Sequence, residues 1–72
     1  MPARFSSLKR ALEALGLTVV PPNGGSHWKA ILNGKTYPIP AHHGEKTEIS
    51  ERYIRGVCTC FDIDPEKLRK LL

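Results

Sequence analysis

The chain contains little of what marks a secreted or a membrane protein. It has only 2 cysteines among 72 residues, whereas a disulfide framework needs several cysteines distributed along the sequence. Its longest apolar runs are far too short to cross a bilayer, and no basic segment followed by an apolar stretch resembles a secretory signal. We therefore expect a cytoplasmic protein that does not bind membranes.

The two cysteines are also poorly spaced for binding one metal ion together. Cys58 and Cys60 are two positions apart in a segment with helical periodicity, so their side chains project about 200° from each other. That geometry does not allow both to ligate the same ion. We expect free thiols, buried or half-buried, and a metal or redox role is the alternative.

Acidic residues are in the minority. The chain has 7 Asp and Glu against 11 Lys and Arg, a formal net charge of +4 and an isoelectric point near 9.4. This balance favours a polyanion such as nucleic acid over an acidic metabolite as a partner. A chain of this length buries only about 60% of its unfolded surface, so residues 1–72 are predicted to form one domain that binds any ligand at its surface.

What the sequence does contain is a series of short elements. Apolar residues recur at helical spacing in three segments, and short apolar or β-branched runs lie between glycine, proline and asparagine turns. The predicted elements are a helix over 5–15, strands over 17–20, 26–32 and 35–39, a loop over 40–48, a helix over 50–61 and a short helix opening at 64–65. This α-β-β-β-α order predicts an α+β fold in which two helices cover one face of a three-stranded antiparallel sheet. The other face then meets water or a partner.

Local signals indicate where the helices begin and end. The first helix is predicted to have Ser6 or Ser7 as its N-cap and Gly16 as its stop. Ser50 and Asp64 are the predicted N-caps of the two later helices, and a proline follows Asp64 at the first helical position.

The apolar faces of the two later helices follow from the same periodicity. The predicted apolar residues are Ile54, Val57, Cys58 and Phe61 in the longer helix and Leu68, Leu71 and Leu72 in the last one. This pattern puts Gly56 on the solvent side, where a glycine costs about 1 kcal/mol relative to alanine.

The register of the hairpin follows from Asn33-Gly34, which is the strongest short signal for a two-residue turn. The turn pairs Leu32 with Lys35, Ala30 with Tyr37, and Trp28 with Ile39. Because most of these are large apolar residues, we expect their face to be the one that the helices cover. The alternate residues point to the uncovered face; they are His27, Lys29 and Ile31, opposite Pro40, Pro38 and Thr36. A slip of one residue would bury a lysine and expose the tryptophan, so the register is well specified.

A histidine stands at the mouth of this hairpin, directly after Gly24, Gly25 and Ser26. The register places His27 outside the core, where it is either a plain solvated side chain or a functional group, and spacing alone does not decide between them. The glycines form either a flexible turn or room for the backbone of a ligand. If the chain stays extended past the second hairpin strand, His42 reaches the same face near His27.

These residues, in this order, resemble the HicA-type toxins of bacterial toxin–antitoxin pairs. The similarity covers nearly the whole chain, and its most specific parts are Gly25-Ser26-His27 and Pro40-Ala41-His42 at the two ends of the hairpin. The resemblance implies a double-stranded-RNA-binding-like fold and cleavage of mRNA without a cofactor or metal ion. It also implies that His27 is the catalytic residue and that a HicB-type antitoxin covers the active face. The second long helix departs from the family pattern in its Gly56 and its Cys-x-Cys.

The chemistry of metal-free RNA cleavage suits these residues. It needs a base for the 2′-OH, an acid for the leaving 5′-oxygen and positive charge at the phosphate. Histidine, with an ordinary pKa of about 6.5, serves as base or acid at neutral pH. We expect His27 to be the base and Lys29 to contact the phosphate, and His42 is a weaker candidate for the acid. The candidate RNA-binding residues are Gly25, Ser26, Lys29, Lys35 and His42.

Other interpretations remain open. The same fold could bind structured RNA, or only a protein partner, without doing chemistry. A zinc site formed by the histidines and cysteines is disfavoured, because the cysteines lie on a helix behind the sheet. Ile31, an apolar residue expected on the uncovered face, indicates where the antitoxin docks, with its acidic groups on Lys29 and Lys35.

Overall fold

A computed structural model describes residues 2–25 and 27–72. The elements in chain order are β1 (Ala3–Arg4), α1 (Phe5–Ala14), β2 (Thr18–Val20), β3 (Trp28–Leu32), β4 (Lys35–Ile39), a short 3-10 helix (Gly44–Lys46), β5 (Glu48–Ile49), α2 (Glu51–Phe61) and α3 (Pro65–Leu71). The predicted α+β class and the order of its main elements are confirmed. The two shortest strands were not predicted, and they pair with each other as a separate antiparallel ribbon.

Helix α1 begins earlier than its sequence indicates. Its N-cap is Arg4, which makes no capping bond through its side chain, so the prediction of Ser6 or Ser7 as the N-cap is wrong. The Phe5 N–H instead donates to the Thr47 carbonyl at 2.7 Å. The β1–β5 ribbon brings this distant carbonyl to the start of the helix, and a local capping rule cannot anticipate such a contact.

The end of α1 is the predicted one. Gly16 lies in the left-handed region with φ of +95°. Its N–H donates to the Glu13 carbonyl and the N–H of Leu17 donates to the Leu12 carbonyl, both at 3.0 Å. This is a Schellman motif, which satisfies the last helical carbonyls and favours glycine at that position.

The three-stranded sheet has the order β2-β3-β4 and is antiparallel throughout. Asn33 and Gly34 have φ of +51° and +81°, as a type I′ turn requires at both central positions. The predicted register is confirmed, with Leu32 opposite Lys35, Ala30 opposite Tyr37, and Trp28 opposite Ile39. Each residue of the hairpin therefore lies on the face that the alternation predicts.

Helices α1 and α2 cover one face of this sheet, as predicted. Helix α1 packs on β2, α2 packs on β4, and α3 packs against both helices. The covered face contributes Val19, Ala30 and Ile39, none more than 8% exposed. Trp28 is half-buried, with its ring centroid 4.8 Å from that of Phe5. The other buried apolar residues are Leu8, Ala11, Leu12, Leu17, Ala41, Ile49, Val57, Cys58, Phe61 and Leu68.

Gly56 does not lie on the solvent side of α2, so that prediction is wrong. The residue is half-buried beneath the ring of Tyr37. A Cβ added at Gly56 would overlap the Tyr37 hydroxyl and would lie 2.6 Å from the ring carbon Cζ. The glycine therefore allows the helix backbone to approach a tyrosine of β4, and helical periodicity alone does not reveal this contact.

The last helix is capped as predicted, and the fold buries only part of its apolar side. Asp64 Oδ1 accepts the N–H of Glu66 at 3.0 Å, and Leu68 is fully buried. Leu71 and Leu72, the other two residues of the predicted apolar side, are 43% and 39% exposed, so the fold covers that side of α3 only in part.

Two further features concern the helices. Ser50 occupies the N-cap of α2 with an extended backbone, although its side chain makes no capping bond. Within the described ranges, 2–25 and 27–72, no helix combines the length and the apolarity that crossing a bilayer demands.

Candidate functional site

The uncovered face of the sheet carries a mixture of polar and apolar side chains. The pairing places Thr18, Ile31 and Thr36 in one row across the strands and Val20, Lys29 and Pro38 in the next. Lys29 and both threonines are exposed, whereas Val20 and Ile31 are half-buried. Ile31 thus lies on the same face as Lys29, as predicted, and with Val20 it gives the face an apolar centre.

Two histidines meet at the end of this face. His27 directly precedes β3 and His42 follows β4, and the two side chains are exposed. Their ring centroids lie 5.4 Å apart with the ring planes at 78°, an edge-to-face contact. The prediction that His42 reaches His27 is therefore confirmed, and the antiparallel register explains it, because the start of β3 lies opposite the end of β4.

The other candidate residues differ in their distance from this pair. Lys29 is two residues from His27 on the same strand and exposes its side chain. Lys35 is exposed at the turn end of β4, opposite Leu32. Five residues of extended chain separate Leu32 from His27, about 16 Å, so the structure does not bring Lys35 to the histidines.

The glycine-rich segment before His27 is open. Gly24 and Gly25 are exposed, and a Cβ added at either would have no atom within 4 Å. Gly24 also lies in the left-handed region, with φ of +85°. A ligand backbone can therefore approach this segment without displacing protein atoms. Ser26, the remaining candidate for RNA binding, lies outside the described residues.

The loop that carries His42 is ordered by hydrogen bonds that the sequence did not indicate. The N–H of His43 donates to Thr47 Oγ1 at 2.8 Å, and the N–H of Gly44 donates to the Ala41 carbonyl at 3.1 Å. The sequence pattern predicts a plain loop over this segment and does not indicate Thr47. Its only local signal is a glycine at position 44, which lies at φ of +67°.

The cysteines are free thiols, as expected, and they lie on the helical side of the sheet. Cys58 is buried and Cys60 is half-buried. Burial, and secondarily the charge of Asp64, raises the pKa of the Cys58 thiol above its ordinary range. Elsewhere in the described chain, no three side chains of His, Cys, Asp or Glu converge as a metal-ligand set.

A groove of about 830 Å³ lies between β1, α2 and α3. Its lining includes Arg4, Ile54, Cys58, Ile63, Arg69 and Leu72. None of the candidate RNA-binding residues that the structure describes contributes to it, so it is separate from the paired histidines. Comparison with protein-family models, with curated proteins and with solved structures finds no match.

Proposed function

We propose that this chain is an endoribonuclease of the HicA toxin type, which cuts mRNA in the cytoplasm without a metal ion. The observation that carries the proposal is the contact of His27 with His42, 5.4 Å between ring centroids, at the end of an uncovered sheet face. Lys29 on that face and a net charge of +4 favour a polyanionic substrate. In this proposal the α-β-β-β-α arrangement is a double-stranded-RNA-binding-like fold.

The residues divide the chemistry between them. His27 takes the proton of the 2′-OH, and the resulting oxygen attacks the adjacent phosphorus. The bond from phosphorus to the 5′-oxygen then breaks, which leaves a 2′,3′-cyclic phosphate and a 5′-hydroxyl. The Lys29 ammonium offsets the charge that develops on the non-bridging oxygens. Gly24 and Gly25 leave room for the RNA backbone beside His27.

The apolar centre of the same face supports a protein inhibitor. Val20 and Ile31 are half-buried among exposed polar neighbours, and an apolar patch rimmed by polar groups is typical of a protein interface. A HicB-type antitoxin seated there would cover His27 and would place acidic groups near Lys29. Binding of the antitoxin and of RNA would therefore be mutually exclusive.

The test compares histidine variants on end-labelled RNA in EDTA. Wild-type protein is expected to cut, with products that end in 2′,3′-cyclic phosphate by mass spectrometry. His27→Ala is expected to lose about 10²–10⁴-fold in rate, the usual contribution of a general acid or base, with an unchanged melting transition because the side chain is exposed. His43→Ala, another exposed loop histidine, is the matched control and is expected to retain activity.

The same assay separates the enzyme from a binding module with this fold. Wild-type protein that shifts RNA on a gel but never cuts it would establish the binding module. Equal cleavage by His27→Ala and wild type would exclude His27 as the base. A melting transition that disappears in His27→Ala would show that the residue is structural.

A further inference from the structure

We infer that His42 is the general acid of this cleavage and that Thr47 positions it, an inference that rests on the proposed ribonuclease function. Cleavage requires two proton transfers, one from the attacking 2′-OH and one to the departing 5′-oxygen. His27 alone can perform only one of them in a single step. A second imidazole in contact with His27 is therefore the group to examine for the other transfer.

The distance between the two rings suits a single phosphodiester. A base and an acid each work at a heavy-atom distance of about 2.6–3.2 Å from an oxygen of the same phosphodiester, so the two groups must be neighbours on the protein surface. The centroids of His27 and His42 are 5.4 Å apart. Because both side chains are exposed, one phosphodiester can reach both from solvent.

A closed turn holds His42 in this position. The N–H of Ala41 donates to the Ile39 carbonyl at 2.9 Å, and the N–H of Gly44 donates to the Ala41 carbonyl at 3.1 Å. Ala41 is only 5% exposed, so the residue before His42 is anchored in the core. A merely solvated histidine would require neither the buried anchor nor the closed turn.

Thr47 ties the other end of the turn to the first helix. Its Oγ1 accepts from the N–H of His43 at 2.8 Å, and its own N–H donates to the Gly44 carbonyl at 3.1 Å. Its carbonyl accepts from the N–H of Phe5 at 2.7 Å, and Phe5 is fully buried. Thr47 thus connects the loop of His42 to the core and is a positioning residue.

The complete step balances without a co-reactant. The 2′-oxygen forms its bond to phosphorus while its proton passes to neutral His27. The bond from phosphorus to the 5′-oxygen breaks while the imidazolium of His42 delivers its proton to that oxygen. Exchange with water then returns His27 to the neutral form and His42 to the protonated form.

A substrate with a sulfur leaving group tests this assignment. The RNA is an oligonucleotide that contains the linkage cut by the wild-type protein, made once with oxygen and once with sulfur at the bridging 5′ position. A thiol has an ordinary pKa of about 8.5, far below that of water, so the sulfur departs as a thiolate without needing an acid. Loss of the general acid is therefore compensated by sulfur, and loss of the general base is not.

Three variants give distinct expected results. His42→Ala is expected to lose about 10²–10⁴-fold on the oxygen substrate and to cut the sulfur substrate within a few-fold of wild type. His27→Ala is expected to be equally impaired on both substrates, and His43→Ala is expected to match wild type on both. The alkaline fall in kcat/KM that an essential acid imposes is expected to disappear in His42→Ala.

The outcomes distinguish a failure of the acid assignment from a failure of the proposed function. The assignment of His42 as the acid is overturned if His42→Ala is equally impaired on both substrates, or if it cuts both as fast as wild type. His27 remains the base in either case. Sulfur rescue of His27→Ala instead of His42→Ala reverses the roles and likewise overturns it. Full activity of His27→Ala on the oxygen substrate excludes His27 as the base, and a wild-type protein that never cuts RNA refutes the proposed function itself. The inference falls with either result.

Thr47 is tested with the same pair of substrates. Thr47→Val keeps the shape of the side chain but removes the acceptor for the His43 N–H, and Thr47→Ser retains that acceptor. We expect Thr47→Val to slow cleavage of the oxygen substrate, sulfur to restore it, and Thr47→Ser to resemble wild type. A rate loss in Thr47→Val that sulfur does not restore would mean that Thr47 only supports the fold.

Discussion

Helix propensity and the packing of Tyr37 on Gly56 predict opposite effects of Gly56→Ala on stability. In an exposed helix interior, replacing glycine by alanine stabilises a protein by about 1 kcal/mol. At Gly56, however, the new Cβ would lie 2.6 Å from Cζ and 3.3 Å from Cε1 of Tyr37. Ordinary carbon contacts are about 3.5–4.0 Å, so the ring must move by about 1 Å or the helix must shift away from β4.

The net effect follows from comparing these two terms. Overpacking of this kind typically costs about 1–3 kcal/mol, and the gain in propensity offsets about 1 kcal/mol of that. Because the overlap involves the ring as well as its hydroxyl, we expect the cost of overpacking to lie in the upper part of that range of about 1–3 kcal/mol, at about 2–3 kcal/mol. Gly56→Ala is then about 1–2 kcal/mol less stable than wild type. In a domain of this size each 1 kcal/mol lowers Tm by about 4–8 °C.

Urea and thermal unfolding followed by circular dichroism measure this change, with Tyr37→Leu as the background control. In that background the ring is absent, so Gly56→Ala is expected to stabilise the protein, and the difference between the two effects is the coupling energy of the pair. If Gly56→Ala raises the free energy of unfolding in the wild-type background, the two residues do not pack as described. The solvent-side placement that periodicity predicts would then be correct.

Three further outcomes are expected. The raised pKa of the Cys58 thiol means that the folded protein holds this proton more tightly than the unfolded chain. The thiol therefore contributes its whole share of the free energy of unfolding below about pH 8.5, and that contribution is lost as pH rises through the folded pKa. Denaturation curves from pH 7 to 10 are expected to show a smaller alkaline loss in Cys58→Ala, and an identical loss would contradict this. Lys29→Ala is expected to lower the slope of log affinity for RNA against log salt by about 1; an unchanged slope would remove Lys29 from the phosphate contacts. If the proposed function holds, Ile31→Lys weakens the proposed complex with an antitoxin by about 1–2 kcal/mol in calorimetry while RNA cleavage persists. The matched control Leu71→Lys, on α3, is expected to change neither.

The sequence predicts the hairpin well because the information that specifies it is local. Asn33-Gly34 selects the turn, and the alternation of apolar residues decides the face, so the register and the meeting of His27 with His42 follow together. Contacts between distant segments were not predictable in this way. The start of α1 depends on a carbonyl more than forty residues away, at Thr47, and the role of Gly56 depends on a tyrosine from another element.

The loop from Ala41 to Thr47 shows the same limit within the candidate site. Sequence spacing predicts that His42 comes near His27, but it does not predict that the loop is tied to the core. That property arises from the burial of Ala41, the hydrogen bonds of Thr47 and one left-handed glycine, and none of these residue types is diagnostic of such a loop. The sequence therefore predicts that the two histidines meet, whereas the hydrogen bonds that tie the loop of His42 to the core are visible only in the fold.

The position of Pro38 in β4 has a consequence for how the sheet meets other chains. In a two-residue hairpin the residues that flank the turn form a hydrogen-bonded pair, and hydrogen-bonded and non-hydrogen-bonded pairs then alternate along the strands. Pro38, opposite Lys29, belongs to a non-hydrogen-bonded pair. Its nitrogen therefore points away from β3. Proline has no hydrogen to offer there, which interrupts the row of donors that an incoming strand would need. The opposite edge, β2, is only three residues long and is followed by Pro21-Pro22. Neither edge can template an extended ladder, so we expect the sheet to resist strand-by-strand aggregation and to meet a partner through side chains on its face rather than through its edges.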